Sequence, residues 1–197
     1  MSNFLSQLRQ FFAGKFSGNL IDVCMPKAYL LSMGLPNMPI CIRPTTLRAK
    51  VKKHGLTSEM IKYLPTDLNN PIMVFKSDIY TGGLNLIVGR VNAEGLLCVC
   101  LHPNRKANKI EINEIASIHG RNIEQLGLWA NLGLLIDGKR EKTEKVLQWL
   151  AVTSAKSEHL LSKIDEANMR LKTESAKGKE ENNRLGMACT PERKTDK

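Results

Sequence analysis

From Pro71 onward, four short runs rich in β-branched and apolar residues follow one another at hairpin spacing. No other feature constrains the fold of this chain as much. The runs are PIMVFKS, LNLIVGRVN, LLCVCLH and KIEINEIASIHG, and the connections over 78–83, 92–95 and 102–108 are rich in Gly, Asn, Asp and Pro. Connections this short join antiparallel strands, because a parallel pair needs a crossover of about a dozen residues. The spacing therefore predicts an antiparallel meander of about four strands.

Ahead of the meander the punctuation is helical. MSNFLSQLRQFFAGKF carries apolar residues at helical spacing and predicts an amphipathic helix within residues 1–19. It lacks an uninterrupted apolar core and a small-residue cleavage site, and no apolar run approaches the roughly 20 residues of a bilayer span. A cytoplasmic location without membrane contact is expected. PKAYLLSMGLP reads as a short helix closed by Gly34 and Pro36, and Ile40, Cys41 and Ile42 read as a brief strand. Pro44 opens a helix running through Leu47, Val51 and His54 to a stop at Gly55, and Thr57 starts another that ends at Pro65.

After the meander, 121–132 and 139–149 have helical patterns separated by 133–138. Residues 153–175 read as an exposed helix and 176–197, nearly devoid of apolar residues, as a disordered tail. A chain of 197 residues with 42% hydrophobic content can bury a single core. The expected architecture is α+β, with N-terminal helices packed on an antiparallel sheet of about four strands, one domain over 20–152, and a C-terminal helical extension.

Lys and Arg number 29 against 19 Asp and Glu, a net charge of +10. Residues 1–136 hold about 15 of the basic and 8 of the acidic side chains, so most of the excess lies in the front part and points to a polyanionic partner. Aromatic residues make up only 5% of the chain, leaving few platforms for stacked bases. The five cysteines are odd in number and form no CxxC pair, so neither a disulfide framework nor a zinc knuckle is signalled. Cys98 and Cys100 share one face of a strand, as small buried hydrophobes would.

Walker, GxGxxG, HExxH and GxSxG motifs are absent, which argues against the chemistries they support. What remains is a basic helix carrying Arg48, Lys50, Lys52, Lys53 and His54, with Arg43 just ahead. Lys50 and His54 are i, i+4 and share a face. A cation beside an imidazole favours its neutral form, as a general base requires, but the same residues also describe a solvated basic face. At the end of the last apolar run, Ser117 and His119 fall on one strand face with Arg121 just past it. They can bind a phosphate and move a proton, or simply precede a turn at Gly120. His102, in a connection, and His159, on the late helix, are incidental.

The ordered series MPICIRPTTLRAKVKKHGLTSEMIKYLPTDLNNPIMVFKS, LNLIVGRV, LLCVCLH and NEIASIHGR resembles the MuF-C-terminal domain of phage and polymorphic-toxin proteins over about residues 20–150. The resemblance implies a ribonuclease-like fold of the barnase, EndoU and RelE kind and a metal-independent endoribonuclease toxin activity of phage or mobile-element origin. It implies His54 as general base or acid on the ribose 2′-hydroxyl, Lys50 or Arg121 stabilising the phosphorane, and Ser117 positioning the phosphate. Substrate binding is expected at Arg121, His119 and Arg48, and the resemblance adds Lys76 and Ser77. No metal or cofactor is implied; the partners are RNA and an immunity protein. The alternative is a non-catalytic module that binds nucleic acid or protein through the same basic helix.

Overall fold

In the computed structural model, which describes residues 2–107, 109–149 and 155–187, the four runs after Pro71 form the expected meander. Its strands are β3 (Met73–Lys76), β4 (Leu84–Asn92), β5 (Gly95–Ala107) and β6 (Ile110–Arg121), each antiparallel to the next. The sheet is larger than the expected four strands. β1 (Ile21–Cys24) and β2 (Ile40–Ile42) extend it beyond β6, and β7 (Leu135–Gly138) beyond β3, giving seven strands in the order β1-β2-β6-β5-β4-β3-β7. β1 and β7 are four residues each, too short for a period to show. β7 occupies the stretch read as a spacer between helices.

β5 also continues through Pro103, where a loop was expected. Beyond Leu101 it pairs only with β6, and a register shift between His102 and Arg105 accommodates the proline. His102 thus lies in a strand, stacked on Tyr80 with ring centroids 4.1 Å apart. Burial lowers its pKa.

The helices are α1 (Ser2–Phe12), α2 (Ala28–Ser32), α3 (Pro44–His54), α4 (Ser58–Ile61), α5 (Leu64–Leu68), α6 (Ile123–Asn131), α7 (Arg140–Trp149) and α8 (Ala155–Met187). Pro65 lies in the first turn of α5, where its missing N–H costs nothing, and so opens a helix instead of ending one. α6 begins two residues later than expected because Asn122 caps it: its side chain accepts from the Gln125 N–H at 2.9 Å, and Gln125 accepts from the Asn122 N–H at 3.3 Å. Among the described residues no helix is long and apolar enough to cross a membrane.

Strand alternation gives the sheet two cores. Val74, Leu86, Val99 and Ile118 face α1, α3 and α5 through Phe4, Leu8, Leu47 and Leu64. Met73, Phe75, Ile87 and Cys98 face α6 and α8 through Leu126, Trp129, Leu160 and Ile164. The helix expected to be exposed over 153–175 is therefore half buried: Leu160, Ile164 and Ala167 recur at i, i+4, i+7 and close the second core. Its backbone runs on to Met187, into the segment read as a disordered tail; residues 188–197 lie outside the described residues. Contact with β7 is close enough that a Cβ on Gly138 would stand 2.8 Å from an Ile164 side-chain carbon.

Because α8 supplies core, Leu160→Ala should cost about 2–5 kcal/mol, the usual range for a fully buried leucine. Urea unfolding checks this. A loss below about 0.5 kcal/mol, as for a surface site, would place α8 outside the cooperative unit.

Candidate functional site

β6 is paired with β5 along its length but with β2 only through Ile40 opposite Asn113 and Cys41 opposite Glu114. From there to Arg121 the outer edge of β6 has no strand partner among the described residues, and α3 lies against the strand. The C-terminal end of α3 thus meets the end of β6 and the β4–β5 turn. Gly55, with φ +60°, ends α3 there in the left-handed conformation that glycine tolerates.

His54 is the last residue of α3, and its side chain is 9% exposed. Its Nδ1 lies 2.8 Å from both carboxylate oxygens of Glu94, in the turn between β4 and β5. Glu94 is fixed in turn: its carboxylate accepts the Gly120 N–H at 3.1 Å, and its own N–H donates to Asn92 Oδ1 at 3.0 Å. The hydrogen bond to His54 is the chief cause holding the Glu94 carboxyl below its ordinary range. Asn92 Nδ2 donates to the His54 carbonyl at 3.2 Å, tying helix to turn at a second point. Gly120 is no chain reversal but a strand residue that allows this approach; a Cβ there would stand 2.2 Å from Asn92 Oδ1 and 2.5 Å from Glu94 Cβ.

His119 lies 5.8 Å from His54, ring centroid to ring centroid. Its Nδ1 is hydrogen-bonded to Ser117 Oγ at 2.9 Å, as placement on one strand face predicts. Burial first, and then the charges of Arg121, His54 and Lys50, push the His119 pKa down to about 4. Burial, with the nearby cations, thus keeps the His119 imidazole neutral. Arg121 sets its guanidinium 4.8 Å over the Trp129 ring. Among the described residues, only Asn113 Oδ1, His119 Nε2 and Arg121 Nε are buried side-chain polar atoms without a hydrogen-bond partner. Two of the three are here. A buried donor left unpaired costs about 1–3 kcal/mol, and an arriving anion would relieve that cost at Arg121.

Cys98 and Cys100 share this face, opposite His119 and Ser117 respectively. A hydrogen bond from the Cys98 thiol lowers the pKa of Cys100, aided by the charges of Arg121 and Lys50, and raises that of Cys98.

The fold thus brings together His54, Lys50, Ser117, His119 and Arg121. It does not bring in Arg48, Lys76 or Ser77. Arg48 is exposed and lies over Phe11 at 5.8 Å, on a different side of α3. Lys76 ends β3, three strands from β6 and so about 14 Å away by ordinary strand spacing. Ser77 Oγ accepts from the N–H groups of Ile79 and Tyr80, at 3.3 and 3.1 Å, and so caps a turn. His159 is remote, with Nε2 2.7 Å from Asn131 Oδ1. Sequence reasoning missed Glu94. The available signal was an acidic residue in a two-residue hairpin turn whose flanking Asn92 can bond to its own backbone.

A family model described as the phage MuF-C-terminal domain matches residues 45–145, a span that contains the whole cluster and slightly more than half the chain. No curated protein matches, and no solved structure matches.

The low pKa of His119 has a consequence for stability. The folded ring stays neutral down to about pH 4, whereas the unfolded ring takes up a proton near its ordinary 6.5. Between those values the unfolded state binds more protons, so stability falls as pH drops through that window. The contribution of one such group approaches, at most, about 1.4 kcal/mol per pH unit. In urea unfolding at several pH values in EDTA, His119→Gln should flatten the slope between pH 6.5 and 4; an unchanged slope would contradict a buried neutral ring.

Proposed function

The chain belongs to the phage MuF-C-terminal domain family, and from that membership and the geometry around His54 we propose that it is a metal-independent endoribonuclease. The observation that carries the reading is the imidazole–carboxylate pair of His54 and Glu94 set beside the buried, unpaired Nε of Arg121. With Nδ1 held by Glu94, the Nε2 of His54 is the nitrogen free to take a proton from a ribose 2′-hydroxyl, and the carboxylate balances the charge the ring then carries.

The freed oxygen attacks the adjacent phosphorus. The 5′-oxygen leaves with a proton from water, and a 2′,3′-cyclic phosphate remains. Arg121 and Lys50 supply the positive charge that the phosphorane needs, and Ser117, braced by His119, offers a hydroxyl to a phosphate oxygen. Glu94 is 43% exposed, so the pair can be reached from solvent.

The second reading, a binding module without catalysis, draws on Arg48, Lys52 and Lys53, all exposed on α3. Phosphate contacts through these cations need no proton transfer.

Purified protein incubated with RNA in EDTA should yield fragments ending in cyclic phosphate. His54→Ala should slow cleavage about 100-fold or more while preserving the fold. Retardation of RNA on a gel with no cleavage by the wild type would favour the binding module, and wild-type rates from His54→Ala would remove His54 from the chemistry.

A further inference from the structure

The end of the β5–β6 ladder carries a second constellation that the cleavage reading leaves unused. Cys98 and Cys100 lie on β5 and His119 opposite Cys98 on β6, and their Sγ, Sγ and ring-nitrogen atoms all lie within 4.8 Å of one another. We propose that these three side chains form a binding site for a soft divalent ion of the zinc class, with two thiolates, one imidazole nitrogen and a fourth position left to water.

The donor set decides the class of metal. Two sulfurs and an imidazole suit zinc and exclude magnesium or calcium, which take oxygen ligands. A tetrahedral zinc with bonds of about 2.3 Å to sulfur puts two thiolates about 3.8 Å apart, so the ligands need close by only about 1 Å from their present limit. His119 is prepared for the role. Its Nδ1 is engaged by Ser117 Oγ at 2.9 Å, and its Nε2 is buried without a partner. A metal-bound histidine characteristically has its other ring nitrogen held by such an outer-shell group, which fixes tautomer and ring orientation.

The two thiols occupy different settings. Cys98 is wholly buried among Ile87, Leu96 and Phe75, and Cys100 is half buried beside it. Arg121 favours the Cys100 thiolate, the hydrogen bond to Cys100 and burial keep the proton on Cys98 until a metal displaces it, and zinc with two thiolates is neutral overall. An ion here would staple β5 to β6 beneath the His54–Glu94 pair. The surrounding core is continuous without it, so the metal adds stability to a chain that folds in its absence.

Cobalt(II) tests the site directly, since thiolate ligation gives a charge-transfer band in the near ultraviolet and tetrahedral geometry gives strong visible bands. Titration of the reduced full chain should saturate at one cobalt per chain, and zinc should bleach the spectrum. A variant with Cys24, Cys41 and Cys189 all changed to Ser should keep both bands. Cys100→Ser and His119→Gln, at half-buried positions, should weaken binding at least about tenfold. Absence of the charge-transfer band in the wild type overturns the proposal, as does its loss from the triple variant. This readout does not depend on RNA cleavage, so failure of either idea leaves the other standing.

Discussion

The incomplete pairing of β6 governs the rest of the molecule. Had β2 run alongside β6 to its end, the strand would be a central member of the sheet, closed on both sides. Instead β2 is three residues long, and only its first two meet β6. The freed half of β6 is left with an unpaired edge, a liability that folded proteins cover. Here the cover is α3, a helix with a strongly basic surface that ends in histidine. A strand edge and a helix terminus are thereby brought together, with the β4–β5 turn as the third component.

At the other end of β6 the structure spends its cations differently. Glu114, nearly buried, accepts from Arg43 Nε at 2.8 Å and lies 3.5 Å from Arg105 Nε, clamping β2, β5 and β6 where they meet. Arg90 is likewise paired with Asp67 and stacked on Tyr63 at 4.0 Å. Such partly buried pairs fix geometry more than they add stability. They also offset positive charge: Arg43 and Arg105 share the one carboxylate of Glu114, and Arg90 has that of Asp67. Arg121 instead lies over the Trp129 ring, and its buried Nε has no hydrogen-bond partner among the described residues. The formal charge of the chain thus overstates how many cations are free, and Arg121 and Lys50 are distinguished by where they sit.

The meander was legible because each of its strands is bounded by turn residues at hairpin spacing, and that signal is local. The α3 helix was legible for the same reason, with Pro44 to start it and Gly55 to stop it. β1 and β7 left no trace in the pattern, since four residues cannot establish a period and each owes its place to a partner distant in sequence. The role of α8 was hidden by its composition: three buried positions spaced i, i+4, i+7 are diluted among charged neighbours, although they close a core. Within the site, pairs on one element could be read, as with Lys50 and His54 or Ser117 and His119. Pairs across elements could not. His54 and Glu94 are 40 residues apart, and only the free edge of β6 makes them neighbours.

That convergence also gives the two imidazoles different partners. Two rings 5.8 Å apart, with Lys50 and Arg121 beside them, cannot both carry a proton without mutual repulsion in a partly dry site. Gly120 donates to the Glu94 carboxylate and Asn92 accepts the Glu94 N–H, which sets the carboxylate against His54 Nδ1. His119 has Ser117 Oγ on its Nδ1, the Cys98 and Cys100 thiols close by and the His54 ring 5.8 Å away. Glycine at position 120 therefore has a chemical consequence as well as a steric one. Any side chain there would push away the turn, and with it the Glu94 carboxylate that pairs with His54. The asymmetry between the two rings, one bonded to a carboxylate and the other to a hydroxyl, thus depends on one missing Cβ.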